Sequence, residues 1–274
     1  MFTAMLLPEL VKSERLLKSV YLKRDVALEF FIPEGLMGNE RLNLLLLNDG
    51  QDTAGLGLQQ TLNSLYQGFK IEPLVVVAIS AGADRLQEYG VASEPDFLGR
   101  GSKAGAYADF IIKELLPFIQ AEVELPINGK RAFAGFSLGG LTAFDIAWNN
   151  SRYFDAVGVF SGSFWWRKKD LAAGYTDADR ILHRHIAATE IKPALKFWLM
   201  TGTADELADR NRNFIIDSID DTVDVIKELL KKGYQRPRDI TYYEMVGGKH
   251  DLPTWAKAMP AFLCWAFGRK IANL

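Results

Sequence analysis

Six short apolar runs recur along the chain, and stretches with a helical spacing of apolar residues separate them. Short continuous apolar runs are typical of strands that are buried on both faces, and such strands belong to parallel sheets. Because strand and helix alternate, we predict an α/β fold with a mostly parallel, doubly wound sheet and helices on both faces. The predicted strands are residues 42–47, 74–79, 131–134, 156–160, 195–200 and 240–245.

Three helices can be placed by their apolar stripes. One stripe covers residues 107–118, and Pro117 is expected to kink the end of that helix. A second helix covers residues 221–232, with charged residues on its other face and Gly233 as its C-cap. The last helix runs from about 255 to 271.

The N-terminal pattern is different. Residues 20–31 hold two groups of β-branched and aromatic residues on either side of a charged turn at 23–25, which predicts an antiparallel hairpin at one sheet edge. Two segments are irregular, residues 85–104 and an insertion at about 163–191. Because ligands of open α/β sheets bind over the carboxyl ends of the strands, we expect the insertion to form part of a pocket wall. No repeat or linker divides the sequence, so we predict a single domain over residues 1–274.

Composition and charge argue against several classes of function. The chain has 274 residues and a formal net charge of -2, which gives no electrostatic reason to expect a nucleic-acid partner. Cys264 is the only cysteine, so no intrachain disulfide can form, and its apolar neighbours favour a packing role. We find neither a secretion signal nor an apolar run long enough to span a bilayer. We therefore expect a cytoplasmic protein without a membrane partner, and the sequence leaves open whether it forms a homo-oligomer.

The clearest chemical signal is the segment 135–139, which has the form G-x-S-x-G and lies between a predicted strand and a run with helical spacing. In that context Ser137 would lie at the apex of a sharp strand-to-helix turn, where Gly135 and Gly139 avoid steric collisions. The amide of Leu138 and the helix N-terminus would then point at an oxyanion beside the serine. Taken alone, the motif also fits a glycine-rich turn whose serine only caps the helix.

A nucleophilic serine needs a base, and the chain has three histidines, His183, His185 and His250. His250 follows a predicted strand and two glycines, which we expect to bend a loop back over the sheet, and it precedes the last helix. That is where the general base of an α/β-hydrolase belongs. His183 and His185 come before the strand that should carry the acid, so their order does not fit this fold. Because no cysteine and no carboxylate cluster accompanies them, we favour a surface helix over a zinc site, and we expect neither a metal nor a cofactor.

The base also needs a carboxylate that orients it. Asp205 is the first acidic residue after the strand at 195–200 and is our choice, while Glu206 remains an alternative because a small change in the loop path would exchange the two. Asp251 would have to fold back on its own neighbour. A second oxyanion donor should come from the loop after an early central strand, and we select the amide of Gln51, beside Gly50. The alternative is that this segment only forms a turn.

Large aromatic residues open the insertion. Phe164, Trp165 and Trp166 are candidates for lining the substrate pocket, because rigid rings offer apolar area with little loss of entropy. Alternatively, they pack the insertion onto the sheet. Arg100 follows the first irregular segment and is a candidate for binding an anionic substrate group, or else it pairs with Asp96.

Five segments in this order resemble the putative esterase family, which includes esterase D, the enterochelin-type siderophore esterases, and feruloyl and acetylxylan esterases. They are L-L-N-D-G at 46–50, G-F-S-L-G-G at 135–140, S-G-S-F-W-W at 161–166, G-T-A-D at 202–205 and G-G-K-H-D at 247–251. The resemblance covers nearly the whole chain. It implies an α/β-hydrolase fold with Ser137 as nucleophile, His250 as base and Asp205 as acid.

From these residues we predict a serine hydrolase that needs no metal and cleaves small-molecule carboxylic esters through an acyl-enzyme. Two alternatives use the same sequence features. An acyltransferase would employ the same triad with an alcohol in place of water, and product analysis with an added acceptor would distinguish it. A non-catalytic binding protein with a hydrolase fold would fail to react with a fluorophosphonate at Ser137.

Overall fold

The computed structural model describes residues 9–36 and 41–269, and its centre is an eight-stranded sheet. The order of the strands across the sheet is β1-β2-β4-β3-β5-β6-β7-β8. β1 pairs with β2 and β2 with β4 in antiparallel fashion, and all other neighbours are parallel. The predicted α/β fold, with a mostly parallel sheet and an N-terminal antiparallel hairpin, is confirmed. The strands are Glu9–Ser19 (β1), Arg24–Glu34 (β2), Asn43–Asn48 (β3), Leu74–Ile79 (β4), Arg131–Phe136 (β5), Ala156–Phe160 (β6), Lys196–Ala204 (β7) and Ile240–Lys249 (β8).

Helices cover both faces of the sheet, and a hydrophobic core lies on each side. Strand β3 shows why, because successive side chains of a strand point to opposite faces. Leu44 and Leu46 enter one core, which also contains side chains from the helical stretch between α3 and α4 and from α5, α6 and α7. Leu45 and Leu47 enter the other core, which lies under α1 and α8. The helices are Leu58–Gln67 (α1), Arg85–Glu88 (α2), Ala104–Asp109 (α3), Leu116–Glu122 (α4), Leu138–Asn149 (α5), Ile181–Ala188 (α6), Asp217–Lys231 (α7) and Leu252–Phe267 (α8).

The hairpin turn lies earlier in the chain than its sequence pattern predicted. β1 already pairs with β2 from Glu9 onward, and the turn occupies residues 20–23, with Val20 exposed. An edge strand gains its backbone hydrogen bonds from one neighbour and needs little apolar surface. β1 is accordingly rich in charged residues, so its sequence carries no clear apolar signal.

The predicted helices have different bounds in the structure. The stripe at 107–118 belongs to a longer helical stretch in which the π-helical segment Phe110–Leu115 joins α3 to α4, and Pro117 lies in the first turn of α4. Proline has no backbone N–H to donate, and the change from π-helical to α-helical hydrogen bonding at this point accommodates the missing donor. α7 begins four residues before its predicted start, and Gly233 follows it in the left-handed conformation (φ 85°). The predicted end of the last helix, residue 271, lies outside the described residues.

Two loop predictions were wrong. The two glycines before His250 do not form a loop, because β8 continues through them to Lys249 alongside β7, with a register shift between Gly202 and Ala204. The insertion at 163–191 is not irregular throughout, since α6 and two short 3₁₀ turns lie within it. Among the residues that the structure describes, no helix is both long enough and apolar enough to cross a membrane.

Candidate active site

Ser137 lies at the sharp turn between β5 and α5, with φ 52° and ψ -122°. A residue with a side chain rarely adopts a positive φ, and such strain concentrates at functional sites. A Cβ atom on Gly135 would lie 2.4 Å from the carbonyl oxygen of Gly139, and one on Gly139 would lie 2.5 Å from Oδ2 of Asp49. A side chain at position 135 would therefore collide with the backbone, and one at position 139 would displace the Asp49 carboxylate. The Ser137 amide donates to the carbonyl of Phe160 at 2.9 Å, which ties the turn to β6.

The Ser137 hydroxyl contacts a second serine. Its Oγ lies 3.3 Å from Oγ of Ser163, and the amide of Ser163 donates to the Ser137 carbonyl at 3.1 Å. Leu138 begins α5, and the amides of a first helical turn have no carbonyl partner within their own helix. The Leu138 amide and the positive end of the helix dipole are thus suited to an anion beside Ser137.

Asp205 follows the end of β7 and is only 8% exposed. Its Oδ1 accepts a hydrogen bond from Ser161 Oγ at 3.0 Å, whereas its buried Oδ2 has no partner among the described residues. Burial raises the pKa of Asp205 above its ordinary value, and the Ser161 hydrogen bond and the nearby His250 act in the opposite direction. A buried carboxylate oxygen without a donor is an acceptor available to a neighbouring group.

His250 follows β8 directly and has an exposed side chain. Its ring packs edge-on against Trp255 with 5.1 Å between ring centroids, and the imidazole hydrogen-bonds none of the residues the structure describes. Partial loss of hydration lowers the pKa of His250, and the carboxylates of Asp205 and Asp251 act in the opposite direction. Asp205 and His250 therefore lie close enough to shift each other's pKa, although no hydrogen bond joins them here.

Trp255 links the candidate residues to one another. Its Nε1 donates to Ser161 Oγ at 3.0 Å, and its ring stacks on that of Phe136 with centroids 5.0 Å apart. Phe136 directly precedes the nucleophile candidate, and Ser161 holds the acid candidate. The sequence patterns predict no role for Ser161 or Trp255. The S-G-S segment and the tryptophan five residues after His250 were the available signals.

The two other acid candidates have different surroundings. Glu206 lies beside Asp217 and Asp221 of α7, and burial together with these charges raises its pKa. The Asp251 carboxylate accepts from the Thr254 amide at 2.9 Å and so caps α8. This geometry favours Asp205 as the candidate acid.

The loop that carries Gln51 lies against the serine turn. Asn48 Nδ2 donates to the Gly139 carbonyl at 2.8 Å, and the buried Asp49 pairs with Arg85, whose Nε lies 2.6 Å from Oδ1. Gln51 itself lies in the short 3₁₀ turn Gly50–Asp52, where its side-chain oxygen accepts from the amide of Ala81. These contacts fix the loop next to Ser137, and the role of the Gln51 amide stays a prediction.

The aromatic residues of the insertion divide into two groups. Phe164 and Trp166 are fully buried in the core, which favours the packing alternative for both, whereas Trp165 is partly exposed and remains a candidate for the pocket. Arg100 pairs with the buried carboxylate of Asp96, its Nε lying 2.7 Å from Oδ2. The guanidinium group also lies over the rings of both tryptophans, at 5.1 and 5.4 Å from the centroids. Arg100 thus has the Asp96 partner that the sequence offered as the alternative to substrate binding.

His183 and His185 lie on α6, and their ring nitrogens contact Asp221 and Asn149 rather than Ser137, Asp205 or His250. The helix is not wholly on the surface, because His183 is buried and its Nε2 lies 3.0 Å from the Asp221 carbonyl oxygen. Burial lowers the pKa of His183 to about 3, so the ring is neutral. Within residues 9–36 and 41–269 no group of three or more His, Cys, Asp or Glu side chains could hold a metal ion.

Several solved structures are similar to this chain. The enterobactin esterase Fes from Shigella flexneri has a TM-score of 0.74 at 21% identity, covering 94% of this chain and 59% of that one. A ferulic acid esterase has a TM-score of 0.69 at 18% identity, with 95% and 98% covered. An IroE-like serine hydrolase from Shewanella oneidensis has a TM-score of 0.68 at 20% identity, with 94% and 80% covered. The chain thus spans about three fifths of the length of the enterobactin esterase, and likeness at this identity shows a shared fold.

A comparison with curated protein sequences found no significant match. A protein-family model described as putative esterase matches residues 19–266, a range that begins at the end of β1 and reaches the last turn of α8. The match therefore includes every residue described above around Ser137, Asp205 and His250. Because it covers most of the sequence, the chain belongs to the putative esterase family.

Proposed function

We propose that this protein is a serine esterase that hydrolyses carboxylic esters through an acyl-enzyme formed on Ser137. The observation that carries the proposal is the strained backbone of Ser137, which lies between a strand and a helix N-terminus and is flanked by Gly135 and Gly139 at positions where a side chain would collide with its neighbours. A strained non-glycine residue at this turn is what a nucleophile elbow requires. Membership in an esterase family supports the same activity.

In the proposed reaction, Ser137 Oγ attacks the ester carbonyl while His250 accepts the serine proton. The free Oδ2 of Asp205 accepts a hydrogen bond from the other ring nitrogen of His250 and stabilises the imidazolium. In this reaction the exposed imidazole, which hydrogen-bonds none of the described residues, turns so that it lies between the Ser137 hydroxyl and the Asp205 carboxylate. The amides of Leu138 and Gln51 bind the oxyanion, His250 returns the proton to the leaving alcohol, and water releases the acyl group.

The family and the similar structures indicate that the substrate is an ester. Similar structures are named as an enterobactin esterase and a ferulic acid esterase, so enterobactin and feruloyl esters are the substrates to test. The ferulic acid esterase is matched over 98% of its length and the enterobactin esterase over 59%. A panel of p-nitrophenyl esters, feruloyl esters and enterobactin would identify the preferred ester. Measurement of the free acid and of the transesterified product in the presence of an added alcohol would separate hydrolysis from acyl transfer.

Labelling with a fluorophosphonate tests the nucleophile. We expect a single covalent adduct per chain, located on Ser137 by peptide mass spectrometry, because only a serine activated by a base and an oxyanion site reacts readily with this reagent. Esterase activity should fall in proportion to the fraction of chains that carry the label. The proposal fails if the reagent leaves Ser137 unmodified or if fully labelled protein keeps its activity.

The activity should persist below the ordinary pKa of histidine. His250 must be neutral to accept a proton, and its pKa lies below the ordinary value of 6.5. Activity is then complete above the lowered pKa and is lost as the pH falls through it. We therefore expect the acid limb of kcat/KM to lie below pH 6.5, measured on an ester whose hydrolysis is followed directly.

The variant Asp205→Asn tests whether the Asp205 carboxylate contributes to this pKa of His250. The Asp205 carboxylate raises the pKa of His250, so its removal should move the acid limb to lower pH while it also reduces kcat. A wild-type acid limb clearly above pH 6.5, or a shift to higher pH in the variant, would contradict the assignment of His250 and Asp205 as a pair.

A further inference from the structure

Ser161 is a buried serine between the acid candidate and Trp255, and no catalytic role has been assigned to it above. It directly follows β6, is 2% exposed and has φ 49°. Its amide donates to the Met200 carbonyl at 2.8 Å, which holds it beside β7, the strand that leads to Asp205. The left-handed backbone is unfavourable for a residue with a side chain, yet here it aims a hydroxyl group at a carboxylate.

The directions of the hydrogen bonds around Ser161 are fixed by chemistry. The indole N–H of Trp255 can only donate, so the hydroxyl oxygen of Ser161 must accept from it at 3.0 Å. The single hydroxyl proton of Ser161 is then left to donate to Oδ1 of Asp205, also at 3.0 Å. The two hydrogen bonds therefore run in one direction, from Trp255 to Ser161 and from Ser161 to Asp205, and Oδ1 of the carboxylate accepts the second.

The consequence concerns the other oxygen. Because Oδ1 is held by Ser161, the Asp205 carboxylate cannot rotate freely, and Oδ2 is left as the acceptor without a partner. Trp255 also packs against the ring of His250, so the same indole contacts the base on one side and Ser161 on the other. The orientation of the acid and the location of the base are thus tied to one side chain.

We propose that Ser161 is a positioning residue that orients the carboxylate of Asp205 so that Oδ2 faces His250. The inference rests on the proposed function, since it requires the serine triad. Ser161 contacts neither the substrate nor Ser137 in this role and acts only through Asp205. Residues that orient a catalytic group in this way typically change activity by about 10- to 100-fold when they are replaced.

The test is a double-mutant cycle on kcat for a p-nitrophenyl ester. Ser161→Ala is expected to lower kcat by about 10- to 100-fold with little change in KM, because orientation of the triad affects the transition state more than substrate binding. In the Asp205→Asn background, the same replacement should have almost no further effect. A residue that only supports the fold would lower kcat by the same factor in both backgrounds, and that result would overturn the proposal.

Two further variants separate positioning from folding. Ser161→Gly also lacks the hydroxyl, but glycine favours the left-handed backbone, so this variant should fold at least as well and still lose kcat. Thr222→Val is the matched control, because Thr222 is buried and donates its hydroxyl to the Ser218 carbonyl at 2.7 Å, on α7. It should keep the wild-type kcat.

The outcomes also distinguish this inference from the proposed function. If wild-type hydrolysis does not depend on Ser137, the proposed function itself is wrong. If hydrolysis depends on Ser137 but both Ser161 variants keep the wild-type kcat, the esterase assignment stands and the role of Ser161 is rejected.

Discussion

Replacement of Ser137 by alanine is expected to lower kcat for a p-nitrophenyl ester by about 10⁴- to 10⁶-fold. Without the hydroxyl group no acyl-enzyme can form, and only direct attack by water, assisted by the oxyanion donors, remains. Ser163 is the nearest hydroxyl, 3.3 Å from Ser137 Oγ, but it does not lie at the strained turn that begins α5. The measurement is steady-state kinetics on purified protein, with thermal unfolding to show that the variant is folded.

A matched serine variant provides the control for this experiment. Ser64 is exposed on α1, and Ser64→Ala should keep the wild-type kcat and unfolding temperature. A Ser137→Ala variant that retains full activity would show that the nucleophile lies elsewhere and would remove the basis for the roles of His250 and Asp205 as well.

The central strands could be predicted from the sequence because both of their faces are buried. β4 begins and ends where its apolar run does, because a run of six apolar residues that is rich in valine and isoleucine is typical of an interior strand. The serine turn was predictable for a related reason. The steric demand at Gly135 is local, because a Cβ there would collide with the backbone of Gly139, so the residue type itself records it.

The edges of the sheet could not be predicted in the same way. β1 is mostly exposed and charged, and its eleven residues are a strand only because β2 offers a continuous row of backbone partners. β8 continues to Lys249 because β7 runs beside it, and no local pattern in its two glycines indicates this. At such places tertiary pairing outweighs intrinsic preference.

The contacts around the candidate acid were equally beyond the reach of sequence patterns. Ser161 and Asp205 are 44 residues apart, and Ser161 and Trp255 are 94 apart, so no periodicity connects them. The order of the motifs predicted that Ser137, Asp205 and His250 each follow a strand, and in the structure they follow β5, β7 and β8. It could not give the side-chain rotation of His250, which depends on the packing of Trp255.

The insertion is also held to the rest of the protein by charges that the sequence does not reveal. Arg180 at the start of α6 and Arg210 in the loop after β7 both donate to Asp221 of α7. One carboxylate thereby joins the insertion and the loop that follows Asp205 to the same helix. A buried ionic cluster on α7 thus anchors the loop that follows Asp205.

Removal of this carboxylate is expected to lower the free energy of unfolding by about 3–5 kcal/mol. Asp221 is 1% exposed and accepts from Arg180 Nη1 at 2.5 Å and from Arg210 Nη1 at 3.0 Å. In Asp221→Ala, Arg180 keeps Asp224 and Arg210 keeps Asp217, but each guanidinium loses its most buried partner. The loss of stability follows because two guanidinium groups with little exposure then share less negative charge, and urea denaturation monitored by tryptophan fluorescence measures it.

The matched control lies on the same helix. Glu228 pairs with Lys231, whose side chain is 70% exposed, so Glu228→Ala should change the free energy of unfolding by no more than about 1 kcal/mol. If Asp221→Ala proved as mild as Glu228→Ala, the two arginines would have to find other partners or water, and the cluster could not be what holds the insertion. If instead Asp221→Ala is strongly destabilised and also loses kcat in proportion at temperatures where it remains folded, then the anchoring of the loop after Asp205 extends to the catalytic centre. The two effects are separable, because unfolding is measured without substrate and kcat well below the unfolding transition.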